Sequence, residues 1–315
     1  MVATDPRTAL RWQPARTGRG EVKILVTGTE GQLARALAAR AQFHRGIELV
    51  CIGRPNLDLE APATFAPVLK LIAPDLVVNA AAHTGVDQQE DEAERAFTMN
   101  AEAPSALARL TRLSGIPIIQ VSTDYVFDGR SARSYVEADL PNPQTVYGRS
   151  KLAGEDAVRD GNPDHLIVRT AWVVSRYGRN FVKTMLTAAQ SRDRLTVVAD
   201  QFGNPTEADD LADGILAAAN TRRSTGSFPG RLYHLAGQGR ASWYELARHV
   251  LEVSAPLGGP SAVVEPISSS MWPAKAARPA NSELNSDAFQ RDFGYRAGDW
   301  RARTATLVET LLQDR

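Results

Sequence analysis

The stretch "VYGRSKLAGE", residues 146–155, sets Tyr147 and Lys151 four positions apart at what reads as the start of a helix. A free phenol, with a pKa near 10, exchanges protons poorly at neutral pH. An ammonium beside it favours phenolate and brings the group toward the range where general acid and base catalysis is efficient. Residues i and i+4 share one helical face, so Lys151 can lie beside the phenol and also reach a bound ribose. The same two side chains are equally compatible with plain decoration of an exposed helix. A third group bears on the choice: Thr123, in "STD" at the end of an apolar run, carries a hydroxyl able to hydrogen-bond a substrate oxygen and share its developing charge. Asp124 is a candidate by the same position, because ligands in open α/β sheets sit beyond the carboxyl ends of strands.

A glycine-rich stretch supplies a second chemistry. In "VTGTEGQLA" the order is Gly28, Gly31 and then Ala34 where a third glycine would stand. At a strand-to-helix turn the first glycine permits the bend, and the second lets backbone approach a phosphate. A small third residue lets the helix pack on the strand, and the N–H groups of the helix start face a pyrophosphate. Such a pattern also occurs in turns without a ligand; its place between the first apolar run and the first amphipathic stretch favours a dinucleotide. The second run ends at Gly53-Arg54, where NAD-selective proteins often carry an acidic residue for the ribose 2′-hydroxyl. Arg54 is either a contact for a 2′-phosphate or a solvated loop arginine. The expected cofactor is NADPH, with NADH tolerated.

The elements that must position these groups follow from the apolar pattern. From Val22 the chain alternates "VKILVTG", "QLARALAARAQF", "IELVCIG", a helix-like stretch to Ile72, and "DLVVNAA". Unbroken Val/Ile/Leu runs mark parallel strands covered by helices on both faces. The pattern predicts an α/β fold with a Rossmann-type doubly wound parallel sheet. Helices are expected over about 87–100 and 103–114, followed by the strands "IPIIQVST" and "HLIVRTAW". Beyond these the pattern is less regular, with "RLTVVADQ", "RLYHLAG" and "AVVEPIS" as short strands between helix-like stretches near 206–220 and 242–253. The expected division is a flexible N-terminal extension over 1–20, a dinucleotide-binding Rossmann domain over 21–170, and a smaller C-terminal α/β domain over 171–315. This last is mainly substrate-binding, with segments packing back on the first domain.

Composition narrows the classes. With 315 residues and 43% hydrophobic content the chain can bury a core without cross-links. Its 36 basic and 36 acidic residues cancel, so no general field attracts nucleic acid or an anionic membrane. Cys51, the single cysteine, lies in the apolar run "IELVCIG" and reads as a buried structural thiol; a chain without disulfides suits a reducing cytoplasm. No segment reaches the roughly 20 apolar residues of a membrane span, and the first residues lack the apolar core of a signal peptide. The five histidines have no metal-ligand spacing. A soluble, cytoplasmic protein that binds neither nucleic acid nor membranes is expected.

The ordered set of glycine turn, strand-end "STD" and YxxxK resembles the extended short-chain dehydrogenase/reductase superfamily. Within it, "GTEGQLA", "VVNAAAHTGVDQQE", "STDYVFDG", "VYGRSKLAGE", "LIVRTAWV", "NFVKTML", "DQFGNPT" and "RPANSELNSDAFQ" are similar to the dTDP-4-dehydrorhamnose reductase family, over nearly all the chain from Val22. The resemblance implies hydride transfer from the nicotinamide to C4 of dTDP-6-deoxy-L-lyxo-4-hexulose, a dTDP-linked 4-keto-6-deoxyhexose, giving dTDP-L-rhamnose. It implies that Tyr147 donates the proton to the C4 oxygen, that Lys151 holds the nicotinamide ribose and lowers the phenol's pKa, and that Thr123 positions the keto oxygen. By the same resemblance Gly31, Gln32 and Leu33 sit at the pyrophosphate turn, Asp58 and Leu59 near the adenine, and Ala82, His83 and Thr84 along the cofactor beyond the third strand. Asp124 and Trp172 match substrate-contacting positions, with Asn180, Phe181 and Lys183 as wall or phosphate contacts. Apart from the resemblance, His83 reads as a polar loop residue and Trp172 as core.

The departures carry information too. Some enteric members hold a divalent metal at a dimer contact through acidic residues; two of those positions are Ala36 and Arg301 here, leaving Asp209. One carboxylate is poor provision for a hard cation, so no metal is expected, and the assembly expected is a monomer or weak homodimer. Two other functions fit part of the pattern. One is reduction of another nucleotide-linked 4-keto-6-deoxysugar; the other is a non-catalytic binding module similar to the regulatory subunit of methionine adenosyltransferase. The "RTAW", "NFVKTML" and "DQFGNPT" segments favour the reductase, because they continue the resemblance into the substrate side.

Overall fold

The computed structural model describes residues 21–314, and the extension expected over 1–20 lies outside the described residues. The first half supplies β1 (Val22–Thr27), β2 (Ile47–Ile52), β3 (Leu76–Asn79), β4 (Ile118–Thr123) and β5 (His165–Thr170), with helices α1 (Gln32–Arg40), α2 (Phe65–Ile72), α3 (Val86–Gln89), α4 (Ala93–Phe97), α5 (Ala103–Leu113) and α6 (Val146–Gly161). The remainder adds β6 (Val173–Val174), β7 (Arg194–Val198), β8 (Phe202–Gly203), β9 (Thr206–Glu207), β10 (Leu232–His234), β11 (Ala241–Ser242) and β12 (Val263–Ile267). Its helices are α7 (Phe181–Ala188), α8 (Ala208–Thr225), α9 (Trp243–Ser254), α10 (Asp287–Phe293) and α11 (Trp300–Gln313).

Six strands form one parallel sheet in the order β2-β1-β3-β4-β5-β10. Successive strand residues face opposite sides, and both sides are covered. Ile24, Val26, Val78, Ile119 and Leu166 pack on α1, α8 and α10; Leu25, Val77 and Ile118 pack with α2, α5 and α6. That two-sided cover is why the strands read as unbroken apolar runs. The strand order reverses between β1 and β3, and the crevice at such a switch point, beyond the carboxyl ends, is where an α/β sheet receives its ligand.

A second lobe is built from α7, α9 and α11 around Val182, Leu186, Leu246, Val250, Trp300 and Leu307, with the β7–β12 pair on its flank. Its chain is not continuous: between β9 and β10 it returns to the main sheet, where α8 packs on α1 and β10 extends the β5 edge. The helices expected over 87–100 and 103–114 are divided differently. α3 and α4 are short, and a π-turn over Thr98–Glu102, closed by Ala103 N–H on Thr98 O, leads without a break into α5. Pro104 has no N–H to offer the Asn100 carbonyl four residues earlier, which is the physical reason the ordinary helix ladder opens there.

Candidate active site

The carboxyl ends of the central strands are locked by a polar chain. Thr27 Oγ1 donates to Asn79 Oδ1 (2.6 Å), Asn79 Nδ2 to Gln120 Oε1 (2.8 Å), and Gln120 Nε2 to Val121 O (3.0 Å). Above β1, Gly28 sits at φ 92°, a conformation open to glycine, and its N–H bonds Ile52 O at 2.7 Å. Gly31 caps α1, whose start has no side-chain cap and no acidic residue in its first turn. A Cβ added to Gly31 would meet nothing within 4 Å. Open space over unclaimed helix-start N–H groups suits a pyrophosphate.

The other residues expected on the cofactor side are placed as follows. Leu33 buries its side chain in the core, leaving its backbone in the first turn of α1. Gln32 is tied to the second lobe, its Oε1 accepting from Ser175 Oγ (2.9 Å) and Asn180 Nδ2 (3.1 Å). Arg54 is exposed, 3.9 Å from a Glu60 carboxylate that Arg95 grips at 2.9 Å. Asp58 Oδ1 accepts from Glu60 N–H at 3.0 Å, closing a tight turn, while Leu59 enters the core beside Leu57 and Phe65. In the loop beyond β3, Ala82 is half-buried and Thr84 exposed. His83 between them is clamped by Asn100: its N–H donates to Asn100 Oδ1 (2.9 Å), and its carbonyl accepts from Asn100 Nδ2 (3.0 Å) and Gln89 Nε2 (3.1 Å).

α6 begins with two caps: Thr145 Oγ1 accepts from Gly148 N–H (3.0 Å), and Glu90 Oε1 from Val146 N–H (2.8 Å). Tyr147 and Lys151 project from it into a closed interior, 9% and 5% exposed. Lys151 Nζ donates to Val121 O at 2.7 Å, and burial lowers the lysine to about 8 against the opposing charge of Glu155. Burial pushes the Tyr147 phenol up to about 12, with its hydrogen-bonded contact to Thr123 pulling the other way and the Asp124 charge adding to the rise. The lowering of the phenol anticipated from YxxxK is therefore not found here. The lysine is held on a backbone carbonyl of β4, and desolvation of the phenol dominates. Thr123 Oγ1 donates to Asp124 Oδ1 (2.9 Å) and accepts from Tyr125 N–H (3.2 Å). Burial raises the Asp124 carboxyl to about 6, hydrogen bonds from Ser282 and Thr123 opposing.

Across the crevice, Trp172 holds φ 44°, a strained value for a non-glycine residue that marks a position fixed by its surroundings. Its indole stacks on Trp243 at 3.5 Å and 3°, and its Nε1 donates to Ser282 Oγ at 3.1 Å. Phe181 packs against Trp243 at 4.7 Å. Asn180 caps α7, accepting from Lys183 N–H, and commits its amide to Ser175 O (2.6 Å) as well as to Gln32. Lys183 Nζ donates to Arg176 O at 3.1 Å. A cavity of about 270 Å³, lined in part by Tyr125, Gln144, Thr145, Arg278 and Pro279, opens beside the start of α6.

Several participants were not singled out from sequence: Asn100, Gln120, Trp243, Ser282 and Arg278. Pro104, four residues after Asn100, is a local signal for the first; the others meet the site only through tertiary packing. At the positions weighed for a metal, Ala36 is core and the Arg301 guanidinium lies over the Trp300 ring at 4.4 Å. Burial raises the Asp209 carboxyl, with Arg40 and Arg176 opposing. Among the described residues no group of three or more His, Cys, Asp or Glu is placed to hold a metal ion. Cys51 is half-buried, and burial pushes its thiol up to about 11. Among the described residues no helix is long and apolar enough to cross a membrane.

Fold and site together define a Rossmann-type oxidoreductase in which one helix carries a tyrosine beside a strand-end threonine and a lysine held on the same strand. Residues 22–313 match the family model described as the RmlD substrate binding domain. The dTDP-4-dehydrorhamnose reductase of Sinorhizobium fredii is 45% identical over 292 residues, spanning 92% of this chain and 98% of the relative; that of Burkholderia thailandensis is 41% identical, spanning 92% and 99%. Among solved structures, a dTDP-4-dehydrorhamnose reductase from Clostridium acetobutylicum superposes with a TM-score of 0.84 at 33% identity, covering 92% of this chain and 99% of that one. The Bacillus anthracis dTDP-4-dehydrorhamnose reductase, solved in complex with NADP, gives 0.83 at 30% identity, covering 94% and 100%. The chain belongs to the dTDP-4-dehydrorhamnose reductase family.

Proposed function

We propose that this protein uses NADPH, and NADH less well, to reduce the C4 keto group of dTDP-6-deoxy-L-lyxo-4-hexulose to dTDP-L-rhamnose. The observation that carries the reading is the contact between Thr123 and Tyr147, with Lys151 a turn further along the same helix and held on the same strand at Val121 O, in a member of this family. The bound dinucleotide supplies the hydride. Tyr147, kept protonated by burial, donates its proton to the oxygen as charge develops there. Thr123 positions that oxygen and shares its charge, exchanging its bond to Asp124 for one to the substrate. Lys151 is mostly charged below about pH 8; its field steadies the phenolate left behind, and its free donors suit ribose hydroxyls. Trp172 and Phe181 supply walls for the nucleotide sugar, and Asp124 a polar contact. The exposed guanidinium of Arg54 supports a preference for a 2′-phosphate.

The test is direct. The protein is mixed with the ketosugar and either cofactor, nicotinamide absorbance is followed, and the product is identified by NMR. Substrate-dependent oxidation, faster with NADPH and yielding dTDP-L-rhamnose, is the expected result. A product of the opposite C4 configuration overturns the product assignment, and no oxidation with either cofactor overturns the enzyme reading.

A further inference from the structure

One helical turn beyond Lys151 lies a second buried ion that the proposed reaction does not use. Glu155 follows at i+4, so Tyr147, Lys151 and Glu155 line one side of α6. Its carboxylate is fully buried and richly bonded: Oε1 accepts from Ser122 Oγ (2.5 Å) and Arg169 Nε (2.8 Å), and Oε2 from Arg169 Nη2 (2.6 Å). Arg169 projects from β5 and is 1% exposed, with its guanidinium over the Phe127 ring at 5.1 Å. Ser122 is the neighbour of Val121, whose carbonyl holds Lys151 Nζ. Two tethers a turn apart thus fasten α6 to β4, ammonium to carbonyl and carboxylate to hydroxyl.

A buried ion pair is weak support for stability, because desolvating both ions offsets most of their attraction. The arrangement has a clearer consequence for the lysine. A buried ammonium on an uncharged carbonyl tends to shed its proton, and a nearby carboxylate opposes that loss. The titratable and charged groups around Lys151 are Tyr147 and Glu155 on its own helix, Asp124 at the end of β4 and Arg169 on β5. His83 lies in the loop beyond β3, behind Asn100 and Ser150. Arg169 is matched to Glu155, and Tyr147 is protonated at neutral pH. Glu155 is the carboxylate whose charge acts on the lysine. We propose that Glu155 is a positioning residue of this site: locked by Ser122 and Arg169, it pins α6 to β4 one turn beyond Lys151 and keeps the lysine in its charged form.

The inference rests on the proposed reduction for its kinetic readout only; a direct titration reads it independently. In full-length protein carrying 13C-lysine, the Lys151 ε-carbon signal, identified by its loss in Lys151→Met, is followed against pH. The comparison covers wild type, Glu155→Gln, Arg169→Met and Glu155→Gln/Arg169→Met. The midpoint is expected to fall by about one pH unit in Glu155→Gln, to hold or rise in Arg169→Met, and to lie lower in the double variant than in Arg169→Met alone. The alkaline limb of kcat/KM moves with it, so loss of Glu155 lowers turnover about fivefold at pH 8 and almost not at all at pH 6. Should Glu155→Gln fail to fold, the double variant carries the test, because it leaves no unpaired ion buried. A double variant that titrates and turns over like Arg169→Met at every pH makes Glu155 a structural staple and overturns the proposal. A wild type without reductase activity overturns the functional reading alone, and the titration still decides this one.

Discussion

Gly154 is where α6 comes nearest to the turn that clamps the cofactor-side loop, and a single methyl group there probes how far the site depends on that approach. A Cβ on Gly154 would stand 2.0 Å from the Asn100 carbonyl oxygen, short of an ordinary 3.4 Å contact by about 1.4 Å. The obstacle is backbone, so no side chain can swing away. Asn100 is itself fixed, gripping His83 through both N–H and C=O and donating to Ser150 Oγ at 3.0 Å. Gly154→Ala must therefore displace α6, and with it Lys151 less than a turn away, by on the order of 1 Å. Overpacking of this kind costs about 1–3 kcal/mol, offset by about 1 kcal/mol from alanine's better helix propensity. The net is a Tm loss of up to roughly 3–4 °C for a chain of this size. The catalytic effect is larger, since misplacing reacting groups by about 1 Å costs on the order of 10²-fold. Thermal unfolding, NADPH affinity by fluorescence and kcat/KM with the ketosugar are measured on the same preparation. An alanine variant with wild-type kcat/KM and an unchanged or higher Tm would refute the reasoning, because it would mean that the approach is slack.

Tyr147→Phe removes the proposed proton donor from a site that stays packed, so kcat is expected to fall about 10²- to 10⁴-fold while NADPH affinity and Tm change little; near-wild-type turnover would assign the proton to another group. Gly203→Ala puts a Cβ 2.6 Å from the Trp172 indole and 2.7 Å from Ser282 Oγ, so KM for the ketosugar rises while cofactor affinity holds, and steady-state kinetics with a parallel NADPH titration reads both. Burial raises the folded Asp124 carboxyl to about 6, above its unfolded value near 4, so the group costs stability progressively as pH rises through that window, and in full above it. Asp124→Asn is therefore expected to be more stable than wild type by up to about 3 kcal/mol at pH 7 and no different at pH 4, by urea unfolding at the two pH values, while its kcat/KM falls.

The central sheet was legible because its physics is local to each strand. Runs such as "VKILVTG" and "HLIVRTAW" are apolar throughout, which only a sheet covered on both faces requires, and β1 to β5 lie where those runs are. The π-turn was not legible as a turn. "MNAEAP" has good helix formers on both sides of Pro104, and nothing within it says whether the ladder breaks or widens; the packing of Gly154 against the freed carbonyl goes with the wider form. The later segments were readable as short strands and helices, but not their partners. β10 joins β5 in parallel across more than sixty residues, a pairing that no pattern inside "RLYHLAG" specifies.

The site divides along the same line. Residue types and spacing identify Tyr147 and Lys151 because i, i+4 proximity is a property of the helix alone. Their protonation is a property of the packing. The phenol is raised because β4, Tyr125 and the start of α6 exclude water from it, and the lysine is lowered because its head group is buried near the carboxyl end of β4 on Val121 O. The sequence pattern suggested an ammonium turning tyrosine into a ready phenolate; the structure holds a reluctant phenol beside a lysine that is near its own titration. For the proposed reduction that arrangement is the useful one, since a tyrosine acting as proton donor must arrive carrying its proton, and a phenol near 12 is loaded at every pH at which the lysine is charged. The steep part of the pH dependence then falls to Lys151, near pH 8, so the rate should decline in mildly alkaline solution while the tyrosine is still fully protonated.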